Sequence, residues 1–194
     1  MCDPGDANRA QQKRTIVVVD YDPKWPETFA QLRATIWPLV RDVATTVEHV
    51  GSTSVPGLAA KPIIDISVVV PAQSDVPAAI ERLSTLGYVH QGNLGVEGRE
   101  VFTTPSTAPR HHLYLCPSDS LGLANHLAVR NYLRADPRVA GEYGRLKKEL
   151  AARFAEDIDG YVDGKTAMLL RILRLAGFRR DELDAIERIN RRPA

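Results

Sequence analysis

Residues 63–70 read Ile-Ile-Asp-Ile-Ser-Val-Val-Val, with Lys61-Pro62 before them and Pro71 after. An apolar run this short and this rich in β-branched side chains is a strand. Alternation places Asp65, Ser67 and Val69 on one face and Ile64, Ile66, Val68 and Val70 on the other. A carboxylate inside such a run costs several kcal/mol of desolvation unless it is paired or wet, so Asp65 needs a reason. Immediately upstream stands Gly51-Ser52-Thr53-Ser54-Val55-Pro56-Gly57, a hydroxyl-rich turn whose Ser52 precedes the acid by 13 residues. Two readings follow: a place where phosphate and a metal ion meet, or a tight turn beside a sheet-edge acid.

The rest of the chain frames that pair. Residues 15–20 read as a first strand or an extended arm. Residues 27–43 have helical apolar spacing, with Pro38 expected to bend or break the helix. Residues 46–50 form a short strand. A helix is expected over 77–86, stopped by Gly87, then strands at 88–91 and 100–104 around a Gly-rich turn at 92–98, and a strand at 111–116. Beyond residue 118 the pattern turns helical: 121–135, 139–155, 161–176 and 181–190, with Pro137 opening the second of these. Strands followed by helices indicate an α+β architecture: a mixed sheet with flanking helices over 15–117 and a helical region over 118–194 packed on it. Residues 1–14 read as a disordered lead-in.

Bulk properties exclude more than they identify. The 194 residues suffice for one domain with a core. A net charge of +1 gives no global drive toward nucleic acid or anionic membranes. No apolar run approaches the length of a bilayer span. Cys2 and Cys116 have no metal-ligand spacing, and two such cysteines suggest a reducing compartment, the cytoplasm by default.

The segment His49-Val50-Gly51-Ser52-Thr53-Ser54-Val55-Pro56-Gly57-Leu58, followed by Lys61-Pro62-Ile63-Ile64-Asp65-Ile66, resembles the signature of the GrpB family. Weaker matches follow in the family's order: residues 21–25, Gly87-Tyr88, His112-Leu113, residues 130–133, Tyr143 with Lys147, and Tyr161 with Lys165. The resemblance spans roughly residues 15–176. It implies the nucleotidyltransferase-like (polymerase-β-like) fold. In that superfamily a Gly-Ser turn holds a triphosphate, and two carboxylates one residue apart on the next strand bind two Mg²⁺, with a third carboxylate from a later strand. This chain departs from the pattern. Asp65 fills the first acid position, Ser67 replaces the second, and the late strand offers His111, His112 and Tyr114. A serine hydroxyl is a poor ligand for a hard dication. One Mg²⁺ held by Asp65 and by nucleotide phosphates remains an option.

The candidate residues each have a structural alternative. Gly51, Ser52, Thr53 and Ser54 can cradle a phosphate or simply cap a turn. Asp65 can bind metal or a polar substrate group, or pair with Lys61, His49 or Arg99. His112, at the third-acid position, and His49 can act as general acid or base, or be hydrogen-bonded strand histidines. His111 is expected to face outward beside His112, and His90 and His126 have no visible partner. Lys61 can reach a phosphate, Ser67 shares the face of Asp65, and Arg99 follows the Gly-rich turn as an anion clamp. Arg130, Lys147 and Lys165, on three helices, would form a basic wall if they converge. The C-terminal arginines Arg179, Arg180, Arg188, Arg191 and Arg192 alternate with acids and read as a solvated helix. Trp25 and Trp37 read as core anchors.

The expected function is therefore a nucleotidyltransferase-like protein binding a phosphorylated small molecule, a nucleoside triphosphate with Mg²⁺, and transferring its NMP to an acceptor. No nucleic-acid or membrane partner is expected. Two alternatives stand beside it: a non-catalytic module that kept the fold and lost the acids, and a metal-independent acid/base enzyme acting on a small metabolite.

Overall fold

The strand at Ile64–Val70 is the middle of the molecule. The computed structural model describes residues 15–190. The expected lead-in at 1–14, with Cys2, and the arginines at 191 and 192 lie outside the described residues. In chain order the elements are α1 (Trp25–Val40), β1 (Thr46–Val50), β2 (Ile64–Val70), α2 (Val76–Ser84), β3 (Val89–His90), β4 (Glu100–Thr103), β5 (His111–Pro117), α3 (Leu121–Ala135), α4 (Pro137–Arg153), α5 (Ile158–Leu175) and α6 (Arg180–Asn190). Five strands form one sheet in the order β1-β2-β5-β4-β3. β2 and β5 are parallel and every other pair is antiparallel. The architecture is α+β.

Pairing register decides what each face carries. Val50 lies opposite Asp65, Asp65 opposite His112, and Ser67 opposite Tyr114. One face thus collects Glu48, Val50, Asp65, Ser67, His112 and Tyr114. The other collects Val47, His49, Ile66, Val68, His111, Leu113 and Leu115. That second face packs on α1 and α2 through Leu32, Ile36, Val40, Val76, Ala79 and Leu83, nearly all sealed from solvent. Helix α3 covers part of the polar face, with Leu123 on Val69 and Cys116, and α4 and α5 close its end.

One open choice is decided and two local expectations are corrected. Residues 15–20 form the extended arm, not a strand: their ladder contact is one bridge, Val19 to Ala60. Helix α1 runs through Pro38. Pro38 forfeits the bond that an N–H there would make to the Ala34 carbonyl, but it falls in the last turn, and the helix ends two residues later. His111 does not face solvent. Alternation holds, but the opposite face is also covered, so His111 is buried, its Nε2 against the Tyr88 hydroxyl at 2.8 Å and its Nδ1 against Pro109 O at 2.6 Å. Trp25 is buried with its ring edge-on to Tyr21, and Trp37 is partly buried under Arg33.

Candidate functional site

A cleft of about 280 Å³ opens where the polar face of the sheet meets α3, α4 and α5. Gly51, Ser52 and Thr53 form one wall, Asp65 and His112 the floor, and Lys61, Lys147 and Lys165 with Tyr143 and Tyr161 the opposite side. The Ser52 turn and the lone acid therefore share one cavity. Gly51 is what lets them meet. Its φ of +67° suits glycine, and a side chain there would run into the Asp65 carboxylate.

Among the described residues the acid pairs with none of the expected Lys61, His49 or Arg99. His112 Nδ1 lies 2.9 Å from Asp65 Oδ1. A carboxylate oxygen accepts, so Nδ1 donates. The His112 side chain is 49% exposed and Asp65 25% exposed, so the dyad lies open to the cleft rather than sealed inside the sheet.

The lysines are the strongest feature. In α4 the buried stripe runs Ala140, Tyr143, Gly144, Lys147, Leu150, Ala151. A lysine thus sits where helical spacing calls for an apolar residue. Lys147 is 2% exposed, and its Nζ is buried without a hydrogen-bond partner. It lies 4.6 Å from the Tyr143 ring centroid, one turn back. Helix α5 repeats the device: Lys165 Nζ lies 4.6 Å from the Tyr161 ring, with Lys61 Nζ 5.5 Å from the same ring. Ring faces attract ammonium groups but do not satisfy their N–H donors. Burial pushes Lys147 down to about 7, with repulsion from Lys165 and Lys61 adding and Asp65 opposing. Burial and then Lys61 lower Lys165 to about 8. Lys61 is also lowered by burial. Among the described residues no carboxylate pairs with any of the three.

The remaining expected residues divide. Thr53 and Ser54 spend their hydroxyls inside the turn: Thr53 Oγ1 on His49 Nε2 at 3.0 Å and Ile63 O at 3.4 Å, Ser54 Oγ on Gly51 O at 2.6 Å. His49 lies on the opposite sheet face, stacked on Phe29 and lowered by burial to about 4. It does not line the cleft. Arg130 donates to Glu48 Oε2 at 2.7 Å and to His49 O at 3.0 Å, so it braces β1 and leaves the basic wall to the lysines. Burial would raise Glu48, but the hydrogen bonds from Arg130 and Thr46, with the charges of Arg130 and Arg134, together hold the carboxyl below its usual range. Arg99 lies farther along the same sheet face, its guanidinium 5.2 Å from the Tyr114 ring. Arg179 pairs with Asp181 and Glu182 at the surface.

Ser67 is fully buried and bonded to His126 Nδ1 at 3.1 Å. Burial lowers His126 to about 4, so α3 supplies a neutral imidazole where two-metal sites carry a second acid. Sequence spacing gave no hint of this pair, which spans 59 residues. His90, also without a visible partner in the sequence, bonds Glu100 at 2.6 Å. Among the described residues no group of three or more His, Cys, Asp and Glu side chains stands together to hold a metal ion. The site does not fit a two-ion centre.

Comparison with known proteins identifies the family. The model described as GrpB protein matches residues 15–175. The UPF0157 protein YqkA of Bacillus subtilis is 35% identical over 153 residues, 79% of this chain and 45% of that protein. The chain thus spans under half the length of that relative. The crystal structure of the conserved protein GrpB from Enterococcus faecalis superposes with a TM-score of 0.74 at 36% identity, covering 82% of this chain and 96% of that one. The Cid1 poly(U) polymerase, solved with Mg 3′-dATP bound, has a TM-score of 0.51 at 16% identity over 77% of this chain and 50% of its own. The fold is nucleotidyltransferase-like. Among the described residues no helix is long and apolar enough to cross a membrane.

Proposed function

This chain belongs to the GrpB family, and from that premise we propose that its cleft binds the polyphosphate of a nucleoside triphosphate and that the Asp65–His112 dyad serves transfer of the nucleotidyl group to a hydroxyl acceptor. One observation carries the reading: Lys147, buried with no acceptor for its ammonium, at the back of a cleft that also holds Lys61 and Lys165. An unpaired buried cation is costly, and a polyanion entering the cleft removes that cost at Lys147 and offsets the repulsion among Lys61, Lys147 and Lys165. Family membership and the fold support the triphosphate as that polyanion.

The chain's own groups then have distinct work. The lysines neutralise phosphate charge. The Ser52 hydroxyl, which no described residue engages, and the Gly51–Ser52 backbone approach a phosphate oxygen. His112, held by Asp65 through Nδ1, presents Nε2 to take the acceptor's proton, and the carboxylate stabilises the imidazolium so formed. A single Mg²⁺ accompanying the phosphates would meet one protein carboxylate, Asp65. The lysines carry much of the charge that a second ion carries in two-metal sites.

Isothermal titration with ATP, GTP, CTP and UTP, with and without Mg²⁺, tests the binding. Saturable heat that drops at least tenfold in affinity in Lys147→Met supports it, and no heat with any of the four refutes it. Mass spectrometry of ATP incubated with acceptor mixtures tests transfer. The absence of second and third acids favours a second reading, a binding module without turnover, which a transferred product would exclude. Turnover undiminished in EDTA would instead favour acid/base chemistry by the dyad without metal.

A further inference from the structure

A second cavity adjoins the first. It is a groove of about 940 Å³ between the 92–99 turn, the start of α3 and the end of α6, and it shares Asn125 and His126 of α3 with the lysine cleft. Arg99 lies at its base. The residue precedes β4, in which Val101 pairs with Tyr114, so alternation sets Arg99 on the same sheet face as Asp65 and His112. Helix α3 passes directly over it at Gly122, where a side chain would come within 3.1 Å of Arg99 Cβ.

The Arg99 Nε is sealed from solvent and has no hydrogen-bond acceptor. Three carboxylates line the same groove, Glu97, Glu100 and Asp119, and none pairs with it among the described residues. Glu100 is turned to His90. Leaving a buried charged N–H unsatisfied costs more than a hydrogen bond gains. Nε together with a terminal nitrogen makes a planar fork whose natural complement is a carboxylate or phosphate. The fork lies on the Tyr114 ring, and the Tyr114 ring is 6.3 Å from that of His112. An anion at Arg99 is thus two ring contacts from the proposed base.

We propose that this groove is the acceptor subsite, taking a small hydroxyl-bearing molecule whose carboxylate or phosphate sits on the Arg99 fork. The assignment of an acceptor rests on the transfer reading above. The acceptor oxygen forms a bond to the α-phosphorus. The bond from that phosphorus to the oxygen bridging to the β-phosphate breaks, and pyrophosphate leaves with the electron pair. The acceptor's proton passes to His112 Nε2. The product is a phosphodiester that still carries the acceptor's anion.

The Arg99 Nε–H signal in a ¹⁵N spectrum of the full chain, assigned by its loss in Arg99→Lys, reads the site directly. Glycerate and glycerol phosphate serve as probes, since both bear hydroxyls and differ in the anion. The expected result is a saturable shift of that signal by one of them, with binding, measured by titration calorimetry, at least tenfold weaker in Arg99→Lys. The more effective probe tells carboxylate from phosphate. The shift should persist in Lys147→Met, whose ATP affinity falls at least tenfold. No shift with either probe overturns the subsite. So does a shift that vanishes in Lys147→Met, because the probe would then be in the lysine cleft. A protein that answers at Arg99 but binds no nucleoside triphosphate retires the triphosphate reading while leaving the anion subsite standing.

Discussion

The two faces of one sheet are built from alternate residues of the same strands, yet they obey different rules. Toward α1 and α2, Ile66, Val68, Leu113 and Leu115 are fully buried, and the polar groups present, His49 and His111, are hydrogen-bonded within the protein. Toward α3, α4 and α5 the face carries Asp65, Ser67, His112 and Tyr114, with Arg99 just before β4 on the same face and Lys147 above it on α4, each with a buried nitrogen that has no partner among the described residues. One face spends its residues on stability. The other keeps groups unsatisfied, as sites that await a charged ligand do. His111 and His112 show the contrast one residue apart: the first is locked between Tyr88 and Pro109, the second is half exposed beside Asp65.

The comparison breaks first if the apolar face can be damaged without loss of stability. Ile66→Ala removes a fully buried side chain from the central strand. Its expected cost is about 2–5 kcal/mol, read as a lower urea midpoint at unchanged m-value. The variant that remains folded should bind ATP as the wild type does.

On the polar face the expected losses are in chemistry. His112→Ala and Asp65→Asn should each lower transfer by on the order of 100-fold, with the double variant little worse than either, because the two act as one unit. The stability change in His112→Ala should stay within about 0.5 kcal/mol, since the side chain is half exposed. Single-turnover product formation and urea unfolding check the two halves.

Lys147 sharpens the contrast through pH. Its folded pKa of about 7 lies below the unfolded value of 10.5. Between these values the unfolded chain binds more protons, so the lysine's penalty is complete below pH 7 and fades as pH rises toward 10.5. Lys147→Met should therefore be more stable than the wild type near pH 6.5, with the difference shrinking at higher pH, while its ATP affinity falls at least tenfold. A polyanion in the cleft restores the charged form, so binding at pH 8 should take up protons, seen as buffer-dependent heats of titration. No proton uptake would mean that the ligand sits elsewhere.

Much of this contrast was legible in the sequence. The period of two along residues 63–70 separated Asp65 and Ser67 from the isoleucines without coordinates. The glycine before Ser52 pointed to a turn, and the family resemblance set His112 at the third-acid position, although its pairing with Asp65 came only with the register of β2 and β5. What stayed hidden depends on register between distant segments. His49 is expected on a strand beside Asp65, but antiparallel pairing puts Val50 opposite Asp65 and sends His49 to the other face. The Ser67–His126 contact needs α3 docked over the strand. Lys147 stood in a helix whose apolar marks, Leu146, Leu150 and Phe154, recur at four-residue steps as one stripe; only packing shows that the buried face also takes in the lysine beside it. Arg130 looked as good a wall residue as Lys165 until Glu48 claimed it.

The smallest expected effect concerns His49 and tests whether its face is structural. Thr53 Oγ1 donates to Ile63 O, so its remaining capacity is as an acceptor and His49 Nε2 must donate to it. Thr53→Val leaves that buried N–H without an acceptor and should cost about 1 kcal/mol or slightly more. His49→Phe keeps the stack on Phe29 and removes the donor. Combined with Thr53→Val it should recover part of the loss, a coupling that a double-mutant cycle reads directly. His49 has a folded pKa near 4 against 6.5 unfolded, so the wild type loses stability as pH falls from 6.5 toward 4. In His49→Phe that slope should flatten, with the share due to His126 remaining. ATP affinity should not change in any of these variants. A drop would move His49 from the scaffold into the site.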